Sequence, residues 1–257
     1  MHIAFRVDSS TIIGYGHVMR CLTLAHALIH EFNNTKQQTN KGPLQVSFIC
    51  RDHSGNNNKV IIDNHFQLFV LPSFKQHSEI STFQTDSSNT NDWLGTSYQQ
   101  DAQDCIVQLK ALPKIDLLII DHYAIDYRWQ ELLKPYYEKL LVIDDLANRK
   151  HNCDYLLDQT YNRNKESYFS LVPENCQLLL GQDYILLRKE FFLLKEHAKK
   201  RRKEFLNTQE VTSINILITT GGTDAFNLSE LALLAAEELV NSTPNINVNL
   251  VLSSQSI

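Results

Sequence analysis

Residues 3–24, IAFRVDSSTIIGYGHVMRCLTL, determine the fold class of this chain because they combine a strand, a glycine turn and a helix. Apolar residues alternate from Ile3 to Val7, as in a short strand, and Asp8 opens a polar turn. Gly14 and Gly16 allow a tight bend and close backbone approach to a ligand. An amphipathic helix is predicted after them, from apolar residues at helical spacing: Val18, Cys21, Leu22, Ala25, Leu28, Ile29 and Phe32.

This pattern places His17 on the first turn of the helix, which is a position suited to chemistry. The positive end of the helix dipole disfavours a cationic ring, and a neutral imidazole can accept a proton as a general base. A histidine that only caps or packs fits the motif equally well. Asp8 ends the preceding strand, where it can orient the imidazole or hold a substrate hydroxyl.

Composition indicates a globular protein and argues against several classes of partner. Of 257 residues, 43% are hydrophobic and 21% are charged, and no apolar run is long enough for a membrane helix. A net charge of −5 argues against nucleic acid, and the basic run 199–203 reads as a solvated helix face. Met1 leads directly into a strand without a leader segment, so we predict a cytoplasmic protein. Its five cysteines are expected to be reduced, because they are widely spaced.

Alternation of strands with helical stretches predicts a parallel sheet covered by helices. Two polar stretches, Asn33 to Pro43 and Phe74 to about Tyr98, look like surface insertions. The predicted strands of this first part, closed by an apolar run at 178–180 and Gly181, are Ile3 to Val7, Val46 to Cys50, Gln67 to Leu71, Leu117 to Ile120 and Leu140 to Ile143.

A second unit follows a helix predicted from about Tyr184 to Phe205. It contains a strand at 214–218, a glycine turn, a helix at about 228–239 and a strand at 248–252. We therefore predict three parts: a Rossmann-like catalytic domain (1–181), an interdomain helix and linker (182–213), and the start of a nucleotide-binding domain (214–257). One βαβ unit cannot bury both faces of a sheet, so this last part is expected to be truncated.

Carboxylates follow three of the predicted strands, at Asp8, at Asp121 and at Asp144–Asp145. Strand ends of an open parallel sheet meet at one edge, which suits sugar hydroxyls, a water nucleophile and acid–base groups. Each motif taken singly is also a common turn. We expect no metal: His26 and His30 lie four residues apart, but no third ligand has a diagnostic spacing.

The second glycine turn, TTGGTDAFN (219–227), lies between a strand and a helix. Its backbone amides and helix dipole could hold a diphosphate, while a simple turn remains the competing explanation. The Walker lysine and the full GxGxxG pattern are missing, so neither NTP hydrolysis nor NAD binding is favoured.

Five motifs occur in an order that resembles a known family: RVDSSTIIGYGHVMRCLTLA, LLIIDHYAID, LVIDDLANRKHNCDYLLDQ, LLLGQDYILLRKEF and ILITTGGTDAFN. Together they resemble the UDP-2,4-diacetamido-2,4,6-trideoxy-β-L-altropyranose hydrolases of pseudaminic acid biosynthesis. That resemblance implies a GT-B-like fold of two Rossmann-like domains, related to the MurG-type glycosyltransferases. It also implies cofactor-free, metal-independent, inverting hydrolysis of a UDP-sugar. A monomer is our default expectation. Family members continue beyond the point that matches Ile257.

The resemblance assigns roles residue by residue. His17 matches the catalytic base, and Tyr123 lines the sugar site. We expect further substrate contacts from Asp8, Gly14, Tyr15, Gly16 and, in the cleft, Arg188. The nucleotide-side turn is matched by Gly221, Gly222, Thr223 and Asp224. Two other functions stay open: a MurG-like glycosyltransferase with an acceptor other than water, and a non-catalytic fragment that binds nucleotide-sugars.

Overall fold

The computed structural model describes residues 1–36, 42–73, 90–207, 213–221, 224, 227–243 and 245–252. It divides into two compact units, Met1–Leu186 and Leu187–Ile257. Each unit contains a parallel sheet and at least one helix, so the predicted α/β class is confirmed.

The first unit is built on a seven-stranded sheet whose paired strands are all parallel. Its strands lie side by side in the order β3-β2-β1-β4-β5-β6-β7. Their bounds are β1 His2–Val7, β2 Gln45–Arg51, β3 Gln67–Leu71, β4 Ile115–Asp121, β5 Tyr137–Ile143, β6 Tyr155–Asp158 and β7 Gln177–Leu180.

Helices cover both faces of this sheet, which explains why its central strands are apolar at successive positions. On one face, Val18 and Leu22 of α1 (Gly16–Lys36) and Ile61 of α2 (Lys59–Asp63) pack with Phe5 of β1. The other face carries α3 (Tyr98–Lys110) and α4 (Tyr127–Leu133), with Trp129 fully buried between helix and sheet.

A topological switch point lies between β1 and β4. The chain runs outward from β1 to β2 and β3, then returns to pair β4 with the other side of β1, where Val7 faces Asp121 in register. Ligands of open parallel sheets bind outside the carboxyl ends of the strands at such a point. The loop from Asp8 to Tyr15 begins there and leads into α1.

The second unit begins with a long exposed helix and continues as one βαβ segment. Its elements are α5 (Lys189–Asn207), β8 (Ile214–Thr219), α6 (Leu228–Ser242) and β9 (Ile246–Val251). Strands β8 and β9 pair in parallel with Ile214 opposite Ile246.

Differences from the sequence-based expectations are confined to a few segments. The stretch around Leu156 contains a strand, β6, that the sequence did not predict. With only four residues, this strand is too short to show an alternating pattern. Helix α1 extends to Lys36, into the first polar stretch. The helix expected from about Tyr184 begins at Lys189, after a 3₁₀ turn at Gln182–Tyr184. Residues 37–41 and 74–89 of the polar stretches lie outside the described residues.

Candidate active site

The loop between β1 and α1 is folded tightly against the carboxyl edge of the sheet. Gly14 has a φ of +76°, a conformation that strains residues with a side chain, and its amide donates to the Ser10 carbonyl at 2.9 Å. The Ser10 hydroxyl accepts from the amides of Ile12 and Ile13, at 3.1 and 2.9 Å. This bend places Gly16 and then His17 at the start of α1.

His17 is nearly buried and is held by a carboxylate from β4. Its Nδ1 lies 2.7 Å from Oδ1 of Asp121. Arg20, one turn further along α1, donates to both oxygens of the same carboxylate, at 2.5 Å to Oδ2 and 2.6 Å to Oδ1. A carboxylate on Nδ1 favours the tautomer with the proton on that nitrogen, which leaves the lone pair on Nε2.

Asp121 is ionised in this arrangement. Burial raises the pKa of its carboxyl, but the charge of His17 and the hydrogen bonds from Arg20 outweigh burial and hold the pKa well below the usual range. A permanently charged acceptor on Nδ1 also stabilises the imidazolium that forms when Nε2 takes a proton.

Tyr123 lies beside His17, with the two rings edge to face and their centroids 4.6 Å apart. Its hydroxyl donates a short hydrogen bond to Oδ1 of Asp145, which follows β5. Burial and this hydrogen bond raise the pKa of Tyr123 well above its ordinary value, so the phenol keeps its proton. Three elements, α1 and the ends of β4 and β5, therefore contribute to one site.

Trp93 is a site residue that the sequence reasoning missed. It sits on a 3₁₀ turn (Thr90–Leu94) within the second polar stretch. Its indole stacks on Tyr123 at 5.3 Å and 29°, and it meets the His17 ring edge to face at 5.8 Å. A tryptophan in a polar stretch with no periodic pattern is the signal that could have revealed it.

Asp8 does not orient the imidazole, contrary to one expectation. Its carboxylate is fully buried and is bound by Arg6 Nη1 and Nη2 at 2.5 and 2.8 Å and by the amide of Arg51 at 2.7 Å. The ring nitrogens of His53 and His122 lie 3.3 and 3.2 Å away. The carboxylate on His17 is Asp121, and the partners of Asp8 place it in the support beneath the site. Its contact with substrate stays a prediction.

Three further residues that we expect to contact substrate, Gly14, Tyr15 and Gly16, lie at the end of the loop, next to His17. The Tyr15 hydroxyl donates to the Gly55 carbonyl at 3.3 Å. A Cβ added at Gly14 or Gly16 would meet nothing within 4 Å in the described structure, so the space beside both glycines is open to a ligand. Their contact with substrate stays a prediction.

The second glycine turn is only partly described. Gly221 has a φ of +89°, as a sharp turn requires, while Gly222 and Thr223 lie outside the described residues. Asp224 accepts from the amides of Leu228 and Ser229, at 2.9 and 3.1 Å, and so occupies two donors of the first turn of α6. Nucleotide binding by this turn stays a prediction.

Arg188 belongs to the second unit, where its guanidinium lies 5.7 Å from the centre of the Phe191 ring. Its assignment to the cleft also stays a prediction.

The described residues contain neither a metal-type ligand set nor a helix that could span a membrane. No group of three His, Cys, Asp or Glu side chains there could hold a metal ion, and His26 is bonded to Asn64 at 2.9 Å. Across the same part of the chain, no helix is long and apolar enough to span a bilayer.

The site thus offers a histidine whose Nδ1 is held by an ionised aspartate, a protonated tyrosine, and an aromatic wall. A free imidazole nitrogen with an oriented partner can abstract a proton from a nucleophile at neutral pH. Such an arrangement suits general-base activation of a hydroxyl or of water.

The resemblance found in the motifs is confirmed by comparison with known proteins. The chain is 30% identical over 230 residues to the UDP-2,4-diacetamido-2,4,6-trideoxy-β-L-altropyranose hydrolase of Campylobacter jejuni, covering 89% of this chain and 63% of that protein. It is 26% identical over 255 residues to the uncharacterized protein MJ1062 of Methanocaldococcus jannaschii, covering 98% of this chain and 42% of that protein. The chain therefore spans less than two thirds of each relative. No family model matches it.

Two solved structures are similar at low identity. MurG of Acinetobacter baumannii matches at 12% identity with a TM-score of 0.47, covering 98% of this chain and 66% of that one. UGT71G1 of Medicago truncatula, solved with UDP-glucose, matches at 11% with a TM-score of 0.49, covering 99% and 72%.

Proposed function

We propose that this chain hydrolyses UDP-2,4-diacetamido-2,4,6-trideoxy-β-L-altropyranose to the free sugar and UDP, as a step of pseudaminic acid biosynthesis in the cytoplasm. Support comes from the Campylobacter relative, which carries this substrate in its name and shares 30% identity across 89% of the chain. The similarity supports an enzyme acting on a UDP-sugar; the reaction and the sugar are our proposal.

The contact between His17 Nδ1 and Asp121 Oδ1 carries the mechanistic part of the proposal. It leaves Nε2 as the proton acceptor, so His17 serves as the general base. Water attacks the anomeric carbon, its proton passes to Nε2, and the bond between the anomeric carbon and the diphosphate oxygen breaks. UDP leaves with the electron pair, and the configuration at the anomeric carbon inverts.

This reaction requires a general base and correct orientation of the sugar and the attacking water. A diphosphate is a good leaving group, so a strong general acid is unnecessary and the proposed step uses no metal. Activation of water by His17 is expected to supply about 10²- to 10⁴-fold, and orientation of the sugar supplies a further part.

The other roles follow the order of the motifs. Gly14, Tyr15, Gly16 and Tyr123 are proposed to face the sugar. The turn with Gly221, Gly222, Thr223 and Asp224 is proposed to face the nucleotide, and Arg188 is proposed to contact the substrate. We further propose that the chain acts as a monomer.

Replacement of His17 tests the base. We expect His17→Asn to lower the rate of UDP release by about 10²- to 10⁴-fold while the protein stays folded. The measurement is NMR detection of free sugar and UDP from the UDP-sugar. His30→Asn, on the exposed side of the same helix, is the matched control and should keep the wild-type rate. Unchanged turnover in His17→Asn would remove His17 from this role.

Two further measurements separate the alternatives. In ¹⁸O-labelled water, label in the sugar supports attack at carbon, whereas label in UDP shows attack at phosphorus. A product that forms only when a sugar acceptor is added would identify a glycosyltransferase. Binding of UDP-sugar without turnover under either condition would identify a non-catalytic fragment.

A further inference from the structure

We propose that Asp145 is a positioning residue that fixes Tyr123 as a hydrogen-bond acceptor toward the ligand. This inference rests on the proposed function, because it assigns Tyr123 a way of contacting the substrate or the attacking water. It concerns a residue that no motif argument singled out for a role of its own.

The contacts of Asp145 fix the direction in which the Tyr123 hydroxyl donates its hydrogen. The Tyr123 hydroxyl donates to Oδ1 of Asp145, and Arg20 Nη1 donates to Oδ2 at 3.0 Å. Arg163 Nη2 donates to the Asp145 main-chain carbonyl at 2.7 Å, which anchors the backbone of the loop. Both carboxylate oxygens are therefore engaged, and one of them holds the only hydrogen that the phenol can donate.

These contacts belong to a closed ring of partners around the base. Arg20 bridges Asp121, which holds His17, and Asp145, which holds Tyr123. The ring closes because the side chains of His17 and Tyr123 touch, with centroids 4.6 Å apart. A shift of Asp121 would move the His17 imidazole, and a shift of Asp145 would move the Tyr123 phenol. Because Arg20 binds both carboxylates, it sets the relative positions of these two side chains.

The raised pKa of Tyr123 agrees with this geometry. Burial is its largest cause and the hydrogen bond to Asp145 is next, and both stabilise the neutral phenol. The hydroxyl then has only oxygen lone pairs left for a ligand. Tyr123 can accept from an acetamido N–H, a sugar O–H or a water, and it cannot donate to the leaving diphosphate while Asp145 holds its proton.

Asp145→Asn tests the assignment, because the amide keeps the size of the side chain and can donate to the phenol oxygen, which frees the tyrosine proton. We expect kcat to fall by about 10- to 100-fold with little change in KM. In a Tyr123→Phe background the same replacement should cost several-fold less, because Asp145 then holds only Arg20 and no hydroxyl. Asp183→Asn, at an exposed position, is the control and should leave kcat unchanged.

A second readout needs no substrate. The pH titration of tyrosinate absorbance, taken as the difference between each chain and its Tyr123→Phe counterpart, isolates the one phenol. Asp145→Asn should move this ionisation to lower pH, since the carboxylate no longer stabilises the neutral form. Where Asp145→Asn does not fold, Asp145→Glu, which keeps the charge for Arg20 but displaces the carboxylate, replaces it in the kinetic experiment, and Asp145→Ala replaces it in the titration.

Wild-type kcat in the variant, an equal loss in both backgrounds, or an unmoved titration would overturn the role of Asp145. Absence of turnover in the wild-type chain would instead count against the proposed function, and the titration would still decide whether Asp145 controls Tyr123.

Discussion

The proton-accepting nitrogen of His17 depends on one distant carboxylate. Asp121 lies 104 positions away in sequence and 2.7 Å away in space. Without it, either ring nitrogen could carry the proton, and the site would lose the defined acceptor that general-base catalysis needs. Arg20 keeps this carboxylate in place through two further hydrogen bonds.

Two glycines of the same loop have separable roles. Gly14 has a φ of +76°, whereas Gly16 is the first residue of a right-handed helix, and among the described residues no atom lies within 4 Å of a Cβ added at either. We expect Gly14→Ala to reduce the free energy of unfolding by about 1–2 kcal/mol through backbone strain alone. Gly16→Ala should leave stability within about 0.5 kcal/mol of the wild type.

Urea-induced unfolding measures the difference between the two variants, and turnover shows its consequence. If the substrate approaches the backbone at Gly16, Gly16→Ala raises KM although the protein is as stable as before. Equal loss of stability in both variants would contradict the backbone explanation.

The burial of the charged side chain of Arg6 could not be predicted from the sequence pattern. Arg6 alternates with apolar neighbours in β1 and looks like a solvent-facing position, yet it is fully buried. Its guanidinium binds Asp8 and Asp101 at once. Burial of the Arg6 charge is tolerable because it is paired with, and hydrogen-bonded to, two carboxylates. The second of these, Asp101, lies on a helix far away in sequence, so the pairing could not be predicted from β1 itself.

At the level of elements, α3 is attached to the sheet by a buried ion cluster as well as by apolar contacts. Asp101, on the first turn of α3, accepts from Arg6 of β1 and Arg51 of β2, with distances of 2.7 and 2.6 Å to Oδ2. It also accepts from Trp129 Nε1 of α4 at 2.9 Å. One carboxylate therefore joins two strands and two helices beneath the candidate site.

Replacement of Asp101 should be costly. We expect Asp101→Asn to lower the free energy of unfolding by about 3–5 kcal/mol, because it leaves two buried guanidinium groups short of negative charge. Asp104→Asn is the matched control on the same helix: it pairs with Arg51 at 3.0 Å but is partly exposed, so about 1 kcal/mol is expected. Denaturant unfolding measures both, and similar values would show that the cluster contributes no more than a surface pair.

The 3₁₀ turn with Trp93 shows that an insertion-like segment supplies part of the site. Its ring covers Tyr123 and touches His17. Apolar surface beside the base lowers the local polarity, and a less polar surrounding strengthens the electrostatic interaction between His17 and Asp121.

For the whole molecule, burial of histidines sets the response of stability to acid. Burial is the largest cause that lowers the pKa of His2, His122 and His151, and that of His151 falls to about 4. The unfolded chain binds protons on these rings near pH 6.5, and the folded chain does so only at lower pH. Stability is therefore complete above about pH 6.5 and is lost as the pH falls toward 4.

Acidification from pH 7 to pH 5 should cost about 2 kcal/mol through His151 alone. His151→Gln should remove this part of the pH dependence, whereas His30→Gln, at an exposed position, should leave it unchanged. Urea unfolding followed by tryptophan fluorescence measures it, since both tryptophans lie in Met1–Leu186. An identical slope in His151→Gln and wild type would contradict this assignment.

The α/β class, nearly all strands, the helix that begins beside His17 and the edge at which the carboxylates gather could all be predicted from the order of the residues. Those features are local: alternation, helical spacing and glycine turns depend on neighbours within a few positions. Periodicity could not mark β6, which is too short to show one.

Which carboxylate binds which side chain follows from the packing of the strands and helices. Asp8, Asp121 and Asp145 look alike in sequence, each following a strand, yet one is sealed beneath the site, one holds the histidine and one holds the tyrosine. The order of the strands separates them, because β4 pairs with β1 at the switch point and β5 lies beyond β4. Hydrogen bonds act over about 3 Å, so their pairing follows from spatial neighbours and is not written in the spacing along the chain.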